Sequence, residues 1–249
     1  MKSLIRTLPV LLLILLHMPV LRAQDRMSTL LSEAEALIAN NQFPEALAKT
    51  KAALQIDPSN MPAWQKQISI YILMNDEKEG LQCTDEAIDR FPEIPEFFYQ
   101  RGVINNTRGK YSKALDDFDK AISLPVTDNT FKFYLGRGVS HLNLMEYEQA
   151  IADFSSSIEL NDTAASAYHS RAMANYELRD YAAAATDFLK TLEFSEGNAA
   201  LYFNLGMSYF RLNEKEKSCP YFHKSCTMGN NNACRMTLME CAKAIPAIP

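Results

Sequence analysis

The sequence predicts an all-α fold, a solenoid of about six helical hairpins closed by a C-terminal capping helix. Three observations predict it. A self-similar unit recurs at spacings of 34, 34, 36, 34 and 34 residues, small and aromatic residues hold fixed places within it, and four cysteines 7, 8 and 7 residues apart end the array. A period of this length marks a stacked repeat, in which each unit buries its apolar face against its neighbours.

The chain opens with MKSLIRT, where Lys2 and Arg6 stand without an acid, followed by an apolar run from Leu8 to Leu16 broken only by Pro9, and then Leu21-Arg22-Ala23. That is the layout of a secretory signal peptide over residues 1–23, cleaved between Ala23 and Gln24. A retained anchor is the alternative, but a span needs about 20 apolar residues and His17 and Pro19 interrupt this one. The expected address is therefore exported, periplasmic or extracellular, with no membrane insertion after cleavage. Loss of Lys2, Arg6 and Arg22 takes the net charge from −5 to −8, which argues against a nucleic-acid or anionic-membrane partner.

The units follow in order over 27–60, 61–94, 95–130, 131–164, 165–198 and 199–232, and 233–249 forms the capping helix and tail. The two extra residues of the third unit fall in the loop PVTDNT, where insertion is cheap. A bulky residue is fourth in each unit: Leu30, Trp64, Phe98, Tyr134, Tyr168 and Tyr202. Ala34, Gly102, Gly138, Ala172 and Gly206 are eighth, Ala46, Gly80, Ala114, Ala150, Ala184 and Ser218 are twentieth, and Phe118, Phe154, Phe188 and Phe222 are twenty-fourth. Small residues let two antiparallel helices approach, and the aromatic fills the gap between them. Pro58 and Pro92 end the first two units, since a helix does not continue through them.

This pattern resembles the tetratricopeptide repeat family over residues 27–232. Ile68, Thr50 and Thr84 depart from it, in the first two units. The resemblance implies a right-handed α-solenoid whose first helices line a groove for extended or helical peptides. Carried over by position, that groove comprises Tyr99, Val103 and Asn106; Leu135, Val139 and Leu142; His169, Met173 and Tyr176; Phe203, Met207 and Phe210. Gln100, Lys132, Asn143, Asn204 and Arg211 flank it as groups that would fix a peptide's direction. The alternative is that these side chains pack on the next repeat or on the cap. Lys132 and Asn204 do not reproduce the pattern by which some family members clamp a C-terminal carboxylate.

Comparison between units adds a contact. Arg101, Arg137 and Arg171 are seventh where Asp117, Asp153 and Asp187 are twenty-third; elsewhere the pair reads Glu33 with Lys49, Gln67 with Cys83, and Leu205 with Tyr221. Charge exchanges with charge and apolar with apolar, so the two places are expected to touch across each hairpin. Cys83 is then a structural, inert thiol.

Of the remaining cysteines, Cys219 and Cys226 lie on the last second helix, and Cys234 and Cys241 on the cap, expected as one helix from Asn232 to about Ala244. Seven residues advance a helix by about 10.5 Å, too far for a bond within one helix, because a disulfide needs Cα atoms within about 7 Å. Folding the two helices back through MGNNN brings Cys226 to Cys234 and, one rung out, Cys219 to Cys241. One zinc ion cannot reach both rungs, and an exported chain favours oxidation. The segment KSCTMGNNNACRMTL is also similar to the Sel1-like repeats, in which cysteines eight apart bridge neighbouring helices.

HExxH, GxSxG and GxxxxGK are all missing, and His141, His169 and His223 stand in three different units. The expectation is a non-enzymatic scaffold without cofactor or metal that binds a protein or peptide segment within a cell-envelope assembly. A Sel1-like secreted enzyme acting on cell-wall material and a self-associating structural protein are the alternatives.

Overall fold

The computed structural model describes residues 4–125 and 128–241, with side chains from Arg22 onward. Among the described residues it is all-α, thirteen α-helices and one π-turn without a strand. Contacts divide it into two units, Met1–Ile104 and Asn105–Pro249. The first holds α1 (Leu4–Ala39), α2 (Phe43–Ile56), α3 (Met61–Leu73), α4 (Glu77–Arg90) and most of α5 (Pro95–Thr107). The second holds the end of α5, α6 (Tyr111–Ser123), α7 (Thr130–Asn143), α8 (Tyr147–Leu160), α9 (Ala165–Glu177), α10 (Tyr181–Phe194), α11 (Ala199–Arg211), α12 (Lys215–Thr227), α13 (Asn231–Met236) and a π-turn, Thr237–Cys241.

Local chemistry sets the ends of these helices. Asn60, Asp76, Asp180, Asn198 and Asn230 each accept a backbone N–H of the first turn they precede, the usual N-cap interaction. α2 stops at Ile56 and α4 at Arg90, ahead of Pro58 and Pro92. α1 is unbroken from Leu4 to Ala39, so no helix end marks the expected leader boundary, and residues 1–3 lie outside the described structure. Residues 126–127 of the PVTDNT loop lie outside it too. Every hairpin turns on a residue with positive φ at its fifteenth place: Asn41 and Asn75 in the first unit, Gly109, Met145, Arg179 and Asn213 in the second.

The cores follow the spacing. In the second unit Phe118, Phe154, Phe188 and Phe222 are fully buried. A Cβ at Gly138 would stand 2.7 Å from the Phe154 ring, and one at Gly206 2.8 Å from Phe222, so glycine sets how closely these helices approach. In the first unit Thr50 and Thr84 are also fully buried, and they return their hydroxyls to the carbonyls of Leu47 and Gly80. That satisfies the oxygen and explains how threonine replaces an aromatic there.

In five of the hairpins the seventh and twenty-third residues meet as expected. Arg137 grips Asp153 through Nε at 2.9 Å and Nη2 at 2.6 Å, and Arg171 grips Asp187 at 2.8 Å through both nitrogens. Lys49 pairs with Glu33 at 2.6 Å, Gln67 donates to Cys83 Sγ at 3.5 Å, and Leu205 and Tyr221 share one apolar cluster. A third member was not foreseen. The remaining Nη1 of each arginine reaches the twenty-fifth residue of the preceding hairpin: Arg101 to Asp85 at 2.7 Å, Arg137 to Asp119 at 2.6 Å, and Arg171 to Ser155 at 2.9 Å. Where the arginine becomes Leu205, that residue becomes Leu189, packed in the same cluster. Each trio therefore joins one hairpin to the last, polar with polar and apolar with apolar. The hydrogen bonds that Arg137 gives to Asp153 hold its guanidinium still further above its ordinary pKa.

The cap differs from expectation. Its α-helix is only six residues long and gives way at Thr237 to the π-turn, while 242–249 lie outside the described residues. A π-turn takes more residues per turn than an α-helix, and here it leaves Cys241 fully buried and bonded to Cys219 with Cα atoms 5.6 Å apart. Cys226 is bonded to Cys234 at a Cα separation of 4.6 Å.

Candidate binding face

In the second unit the first helices of three hairpins, α7, α9 and α11, present the residues expected to line a groove. Leu135, Val139 and Leu142 rest on the buried Ala150, Phe154 and Ala174. Met173 and Tyr176 rest on the cluster of Ala172, Phe188 and Leu205, and the His169 ring meets Phe188 edge-on at 5.7 Å. Burial lowers the pKa of His169 and keeps it neutral. All of these side chains are half-buried, rooted in the core with one side open.

The last three are placed differently. Phe203, Met207 and Phe210, half-buried as well, pack with Met236 on a cluster of Phe222, Cys219 and Cys241, so they adjoin the disulfide-bonded cap. Asn106 is spent on structure: it donates to the Gly136 carbonyl at 3.2 Å and accepts from Ser140 at 2.8 Å. In the first unit Tyr99 and Val103 are half-buried.

Most flanking polar groups are engaged locally. Lys132 donates to Asn129 at 2.8 Å, Asn143 to the Val139 carbonyl at 2.8 Å, and Asn204 to Met173 Sδ at 3.4 Å. A hydrogen bond with Tyr176 raises the Arg211 pKa. Gln100, in the first unit, gives its Nε2 to the Gln65 carbonyl and Ser69, while its buried Oε1 has no hydrogen-bond partner. Such a face discriminates chiefly by apolar shape, with few free charges.

Titratable clusters elsewhere are occupied by one another. His141 Nδ1 lies 2.6 Å from Glu146 and its Nε2 3.8 Å from Asp153, the carboxylate that Arg137 holds. Cys83 is buried, and burial pushes its pKa up to about 12. Among the described residues no three metal-ligating side chains converge, and no helix is long and apolar enough to cross a membrane.

One surface escaped the sequence reading. An open cavity of about 620 Å³ lies where α10 passes to α11, lined by Leu192, Phe194, Tyr202, Lys224 and Met228 with Glu193 and Glu196. The available signal was the thirtieth residue of successive units, since Leu160, Phe194 and Met228 are all exposed.

Helical hairpins stacked through small-residue and aromatic contacts define an α-solenoid. Tetratricopeptide repeat family models match residues 135–199 and 199–232. Residues 135–232 are thus tetratricopeptide repeats by sequence, and solved structures of that repeat class share the fold over most of the chain. Solved structures of PilF from Pseudomonas aeruginosa (TM-score 0.78, 15% identity, 87% of this chain and 98% of that one) and of PilW, a type IV pilus biogenesis factor (TM-score 0.76, 17% identity, 86% and 98%), share the fold. DnaJ homolog subfamily C member 3 of Bos taurus is 28% identical over 96 residues, which is 39% of this chain and 19% of that protein. The match thus spans about a fifth of that relative's length.

Proposed function

We propose that the protein is an exported, non-enzymatic scaffold that captures a protein segment on the face formed by α7, α9 and α11, within a cell-envelope assembly. One observation carries this reading: Leu135, Val139, Leu142, Met173 and Tyr176 form a continuing row of half-buried apolar side chains anchored in rigid clusters. Such anchoring presents apolar contact area with little further loss of side-chain freedom on binding. PilW, which shares the fold, is a pilus biogenesis factor, and that supports an envelope role. The occupant is a segment with apolar side chains, because the polar groups beside the row are already bonded within the fold.

The test is affinity capture from envelope extract, followed by titration of the captured protein against wild type and Met173→Glu. A charge placed on a central apolar contact is expected to weaken binding by at least about 2 kcal/mol, roughly thirtyfold. Unchanged affinity, with the Met173→Glu protein still folded by circular dichroism, overturns this face as the binding site. Leu160→Glu, on an exposed residue away from the row, is the control.

A further inference from the structure

The pattern Asn-x-Ser/Thr, the acceptor signature for N-linked glycans, occurs twice in the chain, at Asn105-Asn106-Thr107 and at Asn161-Asp162-Thr163. Sequence does not separate the two; structure does. Asn105 is inside α5, buried to 6% exposure, with its Nδ2 given to Asp117 at 2.8 Å. Asn161 caps the C-terminus of α8 in an extended conformation, followed by the exposed Asp162 and Thr163. Its Oδ1 accepts from both the Thr163 N–H at 3.2 Å and the Thr163 hydroxyl at 2.8 Å. Both bonds fall on the oxygen, so the amide nitrogen is the end of the side chain left for chemistry. Glu159, two residues earlier, is exposed as well.

We propose that Asn161 is an N-glycan acceptor and that Asn105 is not. The donor is an oligosaccharide on a lipid diphosphate, and the catalyst is a membrane oligosaccharyltransferase acting on the exported chain. Asn161 Nδ2 bonds to the anomeric carbon as the bond from that carbon to the diphosphate oxygen breaks. One amide proton passes to a transferase base and the lipid diphosphate leaves. The turn between α8 and α9 is separate from the face proposed above, so a glycan there leaves that face open.

This inference rests on export, and the experiment separates the two. Protein from its own cells is digested with trypsin, and peptides 102–108 and 138–171 are weighed. Glycan mass on Asn161, a bare 102–108, and loss of the modification in Asn161→Gln and Thr163→Val are expected. Exported protein that is bare on 138–171, or that carries the sugar on Thr163 Oγ, overturns the proposal. Should the chain keep residues 1–23 and stay inside the cell, export is what fails. The acceptor assignment is then decided with folded protein, a purified oligosaccharyltransferase and its lipid-linked donor. Asn161 is expected to be modified at least about tenfold faster than Asn105, whose exposure requires opening α5. Urea-unfolded protein is expected to lose that preference, and equal rates in the folded protein overturn the assignment.

Discussion

Removing both disulfides should free the cap while the hairpins stay folded. The inner bond, Cys226–Cys234, closes a separation of 8 residues, and in the chain-entropy model that is worth about 2.5 kcal/mol. The outer bond, Cys219–Cys241, spans 22 residues, but with the inner bond present its ring shortens to about 15, worth about 3 kcal/mol. Together the staples contribute about 5 to 6 kcal/mol against release of the cap. Beyond the staples, the buried Ala233 and Cys241 and the packing of Met236 hold it. The partly exposed Lys215–Glu240 pair at 2.7 Å adds at most about 1 kcal/mol, and Leu238 and Met239 point outward at 75% and 72% exposure. A helix as short as α13 does not persist alone. Hydrogen exchange on the wild type and on the protein with all four cysteines changed to serine measures the difference. Amides from Asn231 to Cys241 should lose about four decades of protection, while those of α9 and α10 keep theirs. Equal loss in α9 and α10, or an unchanged cap, refutes the reasoning.

Asp187 is 4% exposed and tied to Arg171 and Asn175, so Asp187→Leu should cost about 3 kcal/mol by stranding the guanidinium; adding Arg171→Leu and Ser155→Leu, as at Leu205 and Leu189, should recover much of it in urea denaturation. Met145 holds φ +62° with its side chain 73% exposed, and relieving that backbone with Met145→Gly should gain about 0.5 to 1 kcal/mol in the same assay. Cys83, with its pKa raised to about 12 by burial, stays a thiol in the folded chain while the unfolded chain ionises near pH 9. Cys83 therefore leaves stability unchanged below pH 9 and takes away about 1.4 kcal/mol per pH unit from 9 towards 12. Cys83→Ala removes that contribution to the slope, and slow alkylation of folded wild type at pH 8 tests the same burial.

How much was legible from residues alone is clearest at the seventh place of each unit. Six pairs exchanging together announced a contact across the hairpin, because both members recur at a fixed offset. The bond from each arginine to the preceding hairpin was concealed, since its partner changes from Asp85 to Asp119 to Ser155 and only the third nitrogen of the guanidinium uses it. The groove shows the same limit. The family resemblance selected the apolar positions of α7, α9 and α11, yet only packing shows that Leu135 rests on Phe154 and Ala174 while Phe203 shares a cluster with Cys241 of the cap.

Sequence by itself determined the repeat, the helix ends at Pro58 and Pro92, the glycines that face Phe154 and Phe222, and a pairing of cysteines across an antiparallel turn. These depend on spacing along the chain, and a regular helix converts spacing directly into direction. Tertiary structure alone decided the π-turn that ends in Cys241, the joining of Phe203, Met207 and Phe210 to the cluster of the cap, the cavity beside Phe194, and which of two Asn-x-Thr asparagines is buried inside a helix. Each of these depends on which neighbour arrives at a surface, and burial by a neighbour leaves no fixed period in the residues it covers.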